Sequence, residues 1–308
     1  MPTAYISHPD CLKHDTSPAH PESPRRLSAI EDRIVETGLS DVLTYIDASD
    51  VRRDHLLRVH TPRHVQTVES MTPSSGYAQL DPDTIICPES LTAARRAAGA
   101  VTTAVDLVVG GRMSSAFCGV RPPGHHAESG RAMGFCLFNN IAVGAAHALH
   151  EHGLNRVAIV DFDVHHGNGT EEIFENEPRV LFCSTYQHPF FPFTRQLDDA
   201  PNRVSIPLDA TAKSPEFRAA VVDHWLPALQ NFEPELVFVS AGFDAHVDDD
   251  MSNVSLTDAD FRWVTEQIVD IAAKSASGRV ISVLEGGYEL NSLARCAEQH
   301  VRILMGLH

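Results

Sequence analysis

Seven short apolar runs, separated by longer stretches of helical character, constrain this chain more than any other feature. The runs are TAYIS (3–7), SSAFCGV (114–120), RVAIVDFD (156–163), RVLFCST (179–185), RVSIPL (203–208), ELVFVSAG (235–242) and RVISVLEGG (279–287). Between them lie PESLTAARRAAGAVTTAVDLVV (88–109), LFNNIAVGAAHALHEH (137–152), SPEFRAAVVDHWLPALQNF (214–232) and TDADFRWVTEQIVDIAAKS (257–275). Ser214-Pro215-x-Phe217 and Thr257-x-x-Asp260 read as helix starts. Strands apolar along their whole length belong to a parallel sheet covered on both faces. No internal repeat or low-complexity linker interrupts the pattern, so residues 1–308 are expected to form a single α/β domain, with a mostly parallel sheet flanked by helices on both faces.

Composition excludes some functions. The 41 acidic residues against 24 basic ones give a net charge of −17, which argues against nucleic-acid binding through a basic surface. That acidity suits cationic substrates, or simply a saline habitat, and the plainer reading is preferred. The six cysteines (Cys11, Cys87, Cys118, Cys136, Cys183, Cys296) form no C-x-x-C pair, and several sit in apolar runs, so most are expected to be reduced core residues. The start, MPTAYISHPD, lacks a signal-peptide pattern, and no apolar run approaches membrane-spanning length. A cytoplasmic, bacterial-type enzyme with no membrane partner is the default expectation.

Polar residues gather where strands end. RPPGHH (121–126), DFDVHHG (161–167), AGFDAH (241–246) and LEGGYEL (284–290) each follow an apolar run. Ligands of open α/β sheets bind outside the carboxyl ends of the strands, so four such clusters could share one pocket. A lone histidine or aspartate would more often be a cap or a surface residue; four clusters together are hard to explain that way.

Asp163 and His165 are one residue apart, and in an extended segment both side chains would point the same way. Asp244 after ELVFVSAGF supplies a third donor. Two carboxylates and an imidazole make a zinc set with an open position. They nearly neutralise the ion, so it would need help in polarising a carbonyl and deprotonating water. His125 and His126, on a Pro-Pro-Gly turn, offer proton transfer, and Tyr288, after a Gly-Gly pair, offers a hydrogen bond to an oxyanion.

These motifs, with HPDCLKHDTSPAHPESPRRL (8–27) and GFCLFNN (134–140), occur in an order that resembles the zinc-dependent histone deacetylases and their bacterial amidohydrolase relatives, which share the arginase/deacetylase fold. The resemblance runs over essentially the full chain. Asn168 in HHGNG and LEGGY are similar to the class II branch.

The resemblance implies a role for each residue. Asp163, His165 and Asp244 would ligate catalytic Zn2+. His126 would be the general base and acid, oriented by Asn168, while His125, partnered by Asp161, would stay largely protonated. Tyr288 would hold the oxyanion. Asp161 would also help bind structural K+, with Ser184 and backbone oxygens of Asp163, His165 and Thr185; a second cation would lie near Phe174 and Val180. Gly134, Phe135 and Phe191 would line an acyl-lysine tunnel, with Met251 at its rim. Arg26 resembles an arginine lining an internal product cavity; an ion pair with a nearby glutamate is an equal reading.

The chain departs from the family where FFPFTRQLDDA (190–200) stands in place of FYPGTG. Phe193 and Arg195 replace glycines, which puts the rim and the substrate in question more than the chemistry. Methionine at 251 leans against a polyamine substrate, although Asp248, Asp249 and Asp250 beside it could attract a cation. The expected activity is removal of an acyl group from lysine in a protein or peptide, with a small acylated amine such as an acetylpolyamine as the alternative. A dimanganese arginase-like hydrolase and a non-catalytic acyl binder are more remote. Oligomeric state, including a homo-oligomer, stays open.

Overall fold

A computed structural model describes residues 2–194 and 200–307. The chain opens with β1 (Thr3–Ser7), α1 (Arg25–Glu36) and β2 (Thr44–Asp47). Next come α2 (Arg53–Leu56), α3 (Pro62–Met71), the small hairpin β3 (Ala78–Gln79) and β4 (Ile85–Ile86), and the long α4 (Ser90–Val109). The middle holds β5 (Ser115–Cys118), α5 (Asn140–Glu151), β6 (Val157–Asp161), α6 (Asn168–Ile173), β7 (Val180–Gln187) and β8 (Arg203–Leu208). The last part holds α7 (Ser214–Ala220), α8 (Leu226–Phe232), β9 (Leu236–Ala241), α9 (Asp258–Ser275), β10 (Val280–Leu284) and α10 (Leu290–Leu304).

Eight strands form one sheet in the order β2-β1-β5-β10-β9-β6-β7-β8, and every pairing in it is parallel. The central strands β6, β9 and β10 are buried at every residue, which explains why they read as unbroken apolar runs. α4 and α5 pack on each other and on the middle strands, while α1, α10 and α9 form a second row. The architecture is the expected α/β sheet with helices.

Order in the sheet matters most for function. The strands that carry the four polar clusters, β5, β10, β9 and β6, are adjacent, so parallel pairing delivers all four carboxyl ends to one edge.

Two expectations need correction. Residues 214–232 do not form a uniform α-helix: a π turn over Val221–Trp225 joins α7 to α8. Pro227 has no amide hydrogen for the carbonyl four residues back, and the backbone widens there. Asp163 and His165 are also not in an extended strand, because β6 ends at Asp161. Both lie in the turn beyond it, where the His165 amide donates to Asp163 Oδ1 at 2.9 Å and so folds the two side chains together.

At the helix starts, Ser214 is the first residue of α7, and the Lys213 amide donates to Glu216 at 2.9 Å. Thr257 caps α9, with its amide donating to Asp260 Oδ2 at 2.9 Å. No helix among the described residues is long and apolar enough to cross a membrane.

Candidate active site

The turn after β6 builds the centre of the site. His165 Nδ1 lies 3.1 Å from Asp163 Oδ1 and 3.0 Å from Asp244 Oδ2, and all three residues are buried. Backbone amides fix the carboxylates: Gly286 donates to Asp163 Oδ2 at 2.8 Å, and Val164 to Asp244 Oδ1 at 3.0 Å. Glycine is required at 286, because a Cβ there would collide with both Asp163 and Asp244. Burial and the charge of Asp163 push the Asp244 carboxyl up to about 6, as expected of a cluster short of positive charge. Burial opposes charge on His165, yet its bonds to Asp163 and Asp244 hold it up to about 10. Without a metal, a proton on His165 does what a cation would do. Two carboxylate oxygens and one imidazole nitrogen within 4.8 Å of one another fit a divalent ion of the zinc type.

His125 and His126 enter from the loop after β5. His125 Nδ1 meets Asp161 Oδ2 at 2.9 Å. Burial works against its charge, but Asp161, Asp163 and Glu285 outweigh this and raise it to about 10. His126 Nδ1 lies 2.8 Å from Asn168 Oδ1, while the Asn168 amide donates to Glu128 at 2.8 Å. That donation makes Asn168 Oδ1 the acceptor, so Nδ1 carries the hydrogen of His126 and Nε2 keeps its lone pair. Burial and the nearby His125 and His165 push His126 well below its ordinary value and keep it neutral. Two adjacent imidazoles are thereby set to opposite protonation states.

The remaining expected residues line the approach. A cavity of about 220 Å³ is walled by Gly134, Phe135, Phe191, Met251 and Tyr288, with His126 and His165 at its base. Gly134 has φ +56°, directly beneath the His126 ring, where a side chain would clash. Phe135 itself takes φ +68°, held by its amide on Thr84 Oγ1 at 3.2 Å. Phe191 stands edge-on to His126 at 5.1 Å, and Phe135 edge-on to Tyr288 at 6.0 Å. Burial raises the Tyr288 phenol well above its ordinary value, so it remains a hydrogen-bond donor at neutral pH.

Ser184 pairs in register with Asp161 across β6 and β7. Its buried Oγ has no hydrogen-bond partner, which fits a cation held beside Asp161 and the end of β7, where Thr185 follows. At the place expected for a second cation, Phe174 follows α6 and Val180 opens β7, both buried. The Phe174 carbonyl already accepts from Glu177 N and Asn202 Nδ2, both at 3.1 Å, which occupies both its lone pairs.

Arg26 pairs with Glu22 at 3.3 Å, donates to the Gly287 carbonyl at 2.6 Å and lies 4.8 Å from the centre of the Tyr288 ring. The ion-pair alternative for Arg26 is therefore present. Of the three aspartates beside Met251, Asp249 is buried and accepts from the amides of Tyr288 (2.6 Å) and Glu289 (2.9 Å). Phe193 is 78% exposed with φ +54°, and Arg195 lies outside the described residues.

Sequence reasoning missed Glu285, whose Oε2 accepts from the amides of Gly124 (2.7 Å) and His125 (3.1 Å) and so fixes the histidine loop. It also missed Phe190, stacked on His165 at 5.5 Å, and Asp83 in the cavity wall. Glu285 sits inside the LEGGY motif, so a signal was available; Asp83 had none.

Fold and site together describe a parallel α/β protein with a candidate site for a divalent metal ion beyond the carboxyl ends of its central strands. Residues 20–304 match the histone deacetylase domain family. The chain is 38% identical over 328 residues to the human polyamine deacetylase HDAC10, an alignment that covers 99% of this chain and 48% of that protein, about half its length. It is 34% identical over 310 residues to the histone deacetylase-like amidohydrolase of Pseudomonas aeruginosa, covering 98% and 80%. The solved HD domain of HDA15 matches with a TM-score of 0.93 at 34% identity, over 99% of this chain and 90% of that one. The chain belongs to the histone deacetylase family, and its activity is that of a deacetylase of the amidohydrolase kind.

Proposed function

We propose that the chain hydrolyses the amide of an acylated lysine side chain, with zinc held by Asp163, His165 and Asp244. The observation that carries this reading is that a neutral His126, Tyr288 and His165 of the buried triad line one narrow aromatic cavity. When bound, the ion polarises the substrate carbonyl and makes water a better nucleophile. His126 Nε2 accepts the proton of the attacking water and returns it to the leaving amine. Tyr288 donates a hydrogen bond to the developing oxyanion, and His125, kept cationic by Asp161, stabilises the same charge through space. Gly134, Phe135, Phe191 and Phe190 exclude solvent around a thin aliphatic chain.

Potassium beside Asp161 and Ser184 would serve structure, tying β6 to β7. The six buried free cysteines suit a reducing, cytoplasmic setting. A small acylated polyamine is the second reading. Asp83 places a carboxylate in the cavity wall, and HDAC10, a relative of this chain, is named a polyamine deacetylase. Kinetics of the zinc-loaded protein on an acetyl-lysine peptide, acetylputrescine and acetylspermidine test both. The peptide is expected to have the highest kcat/KM; preference for the free amines would select the second reading. Absence of turnover on every acylated amine would reject both.

A further inference from the structure

The far end of α5 holds a second cluster of metal-ligand chemistry that the reaction does not use. His147 and Glu151 stand four residues apart on one face of that helix, and His55 approaches from α2, its ring centre 4.7 Å from that of His147. One donor atom from each of the three lies within 4.8 Å of the others. Asn140, at the other end of α5, donates to the Pro122 carbonyl at 3.0 Å and so belongs to the active-site loop. His147 is seven residues along the helix from it, roughly 10 Å away along the axis.

The hydrogen bonds at the cluster are incomplete in a telling way. His147 Nε2 lies 2.8 Å from Asp106 Oδ1 on α4, and the carboxylate can only accept, so Nε2 carries the hydrogen. Nδ1 of His147 is left with its lone pair. That atom is buried and has no hydrogen-bond partner, as are both ring nitrogens of His55. The side chains of His147 and His55 are 6% and 8% exposed. Buried polar atoms in native proteins are otherwise nearly always satisfied, so three orphaned imidazole nitrogens beside a carboxylate call for an occupant. A carboxylate holding the outer nitrogen of a histidine is also the usual support for a metal-bound imidazole.

We propose that His55, His147 and Glu151 form a second divalent transition-metal site, of the zinc class, in which Asp106 positions His147. Two imidazoles and one carboxylate are a common zinc donor set that leaves a fourth position for water. Drawing the three donors to about 3.4 Å from one another, the separation around a tetrahedral zinc, takes only side-chain adjustment at the surface end of α5. The bound ion ties α2 to α5 and, through Asp106, to α4. Arg58 opposes it, since its guanidinium holds Glu151 Oε1 and leaves Oε2 to the metal. Arg58 thereby sets the site to moderate affinity.

Zinc content per chain, measured after equilibration at micromolar free zinc, tests the proposal. Wild type is expected to carry one ion more than His147→Gln and one more than His55→Gln. Glu151→Gln, at an exposed residue whose change leaves the fold intact, should weaken the same site. Asp106→Asn should lower its affinity by about 10- to 100-fold, and Arg58→Ala should raise it. Turnover of the zinc-loaded variants should stay within about twofold of wild type, since none of these residues touches the catalytic cavity. Equal zinc content in wild type and both histidine variants would overturn the site. The count is a difference between proteins that share Asp163, His165 and Asp244, so it stands or falls apart from the proposed reaction.

Discussion

Two buried charge clusters, a lower one around Glu22 and an upper one around Asp163, are balanced in opposite ways. In the lower one, Glu22 is shared by two arginines: Arg121 grips both its oxygens, with Nη2 to Oε2 at 2.7 Å, and Arg26 lies at 3.3 Å. The same guanidinium groups also donate to the carbonyls of Cys11, His14, Gly287 and Glu285, so the charge of Glu22 is answered within the protein. In the upper one, Asp161, Asp163 and Asp244 crowd together with imidazoles and no arginine or lysine. The lower cluster balances its carboxylate with two arginines and braces Tyr288 through Arg26. The upper one holds more carboxylates than cationic imidazoles, and His165 lines a cavity. A deficit of that kind separates a site that takes a cation from an ion pair that only supports the fold.

Catalysis offers the largest expected effect. Tyr288→Phe and His126→Ala should each lower kcat by roughly 10²- to 10⁴-fold while zinc content stays at the wild-type value. Single-turnover assays with parallel metal analysis check this; near-normal turnover by either variant would remove that residue from the mechanism.

The two clusters should also respond oppositely to neutralisation. Glu22→Gln strands two buried arginines and should cost about 3–5 kcal/mol, read from urea unfolding. Asp244→Asn in metal-stripped protein should change stability by no more than about 1 kcal/mol, because the amide oxygen still accepts from Val164 N, His165 Nδ1 keeps Asp163 as its acceptor, and one of the crowded carboxylates is removed. It should nonetheless abolish zinc binding. Equal destabilisation by both changes would dissolve the distinction.

Acid should act on the framework before it acts on the lower ion pair. Burial depresses His14 to about 4, and His60 and His300 to about 3. The unfolded chain protonates these groups near pH 6.5, whereas the folded chain does not, so the unfolded state binds more protons below that point. The contribution of these three groups should be flat above about 6.5 and fall as pH drops towards 4, by on the order of 1 kcal/mol per group for each pH unit, whereas His125 and His165, held up to about 10, lose theirs as pH climbs above about 6.5. The difference in urea midpoint between wild type and His300→Gln, followed across the acid window, measures one of the three; a difference that does not change between about pH 6.5 and 4 would contradict the neutral assignment.

The smallest effect belongs to the cavity wall. Phe191→Ala should raise KM through about 1–3 kcal/mol of lost contact with the acyl chain, with a lesser change in kcat. Initial-rate kinetics on the preferred substrate separate the two parameters.

Much of this arrangement was legible in the sequence because it is local. Unbroken apolar runs marked the buried strands, and the motifs at their ends named Asp163, His165, Asp244, His125, His126 and Tyr288. The edge strand β2 escaped notice because its residues alternate between half-buried and exposed. The helix α10 carries a clear apolar face and could have been read. What joins distant segments could not: Glu22 reaches Arg121, and Asp83 reaches the loop of Gly134, only after folding. The turn that brings Asp163 to His165 depends on an amide-to-carboxylate bond rather than on strand alternation, so two residues that do come together were paired on a premise the backbone does not obey.

The central claim is that one divalent ion belongs to the upper cluster. Anomalous scattering at the zinc edge, recorded from crystals of the zinc-loaded protein, tests it most directly. The account predicts a peak about 2.0–2.2 Å from Asp163, His165 Nδ1 and Asp244 together. A fully loaded, active crystal with no peak touching those three residues would contradict it.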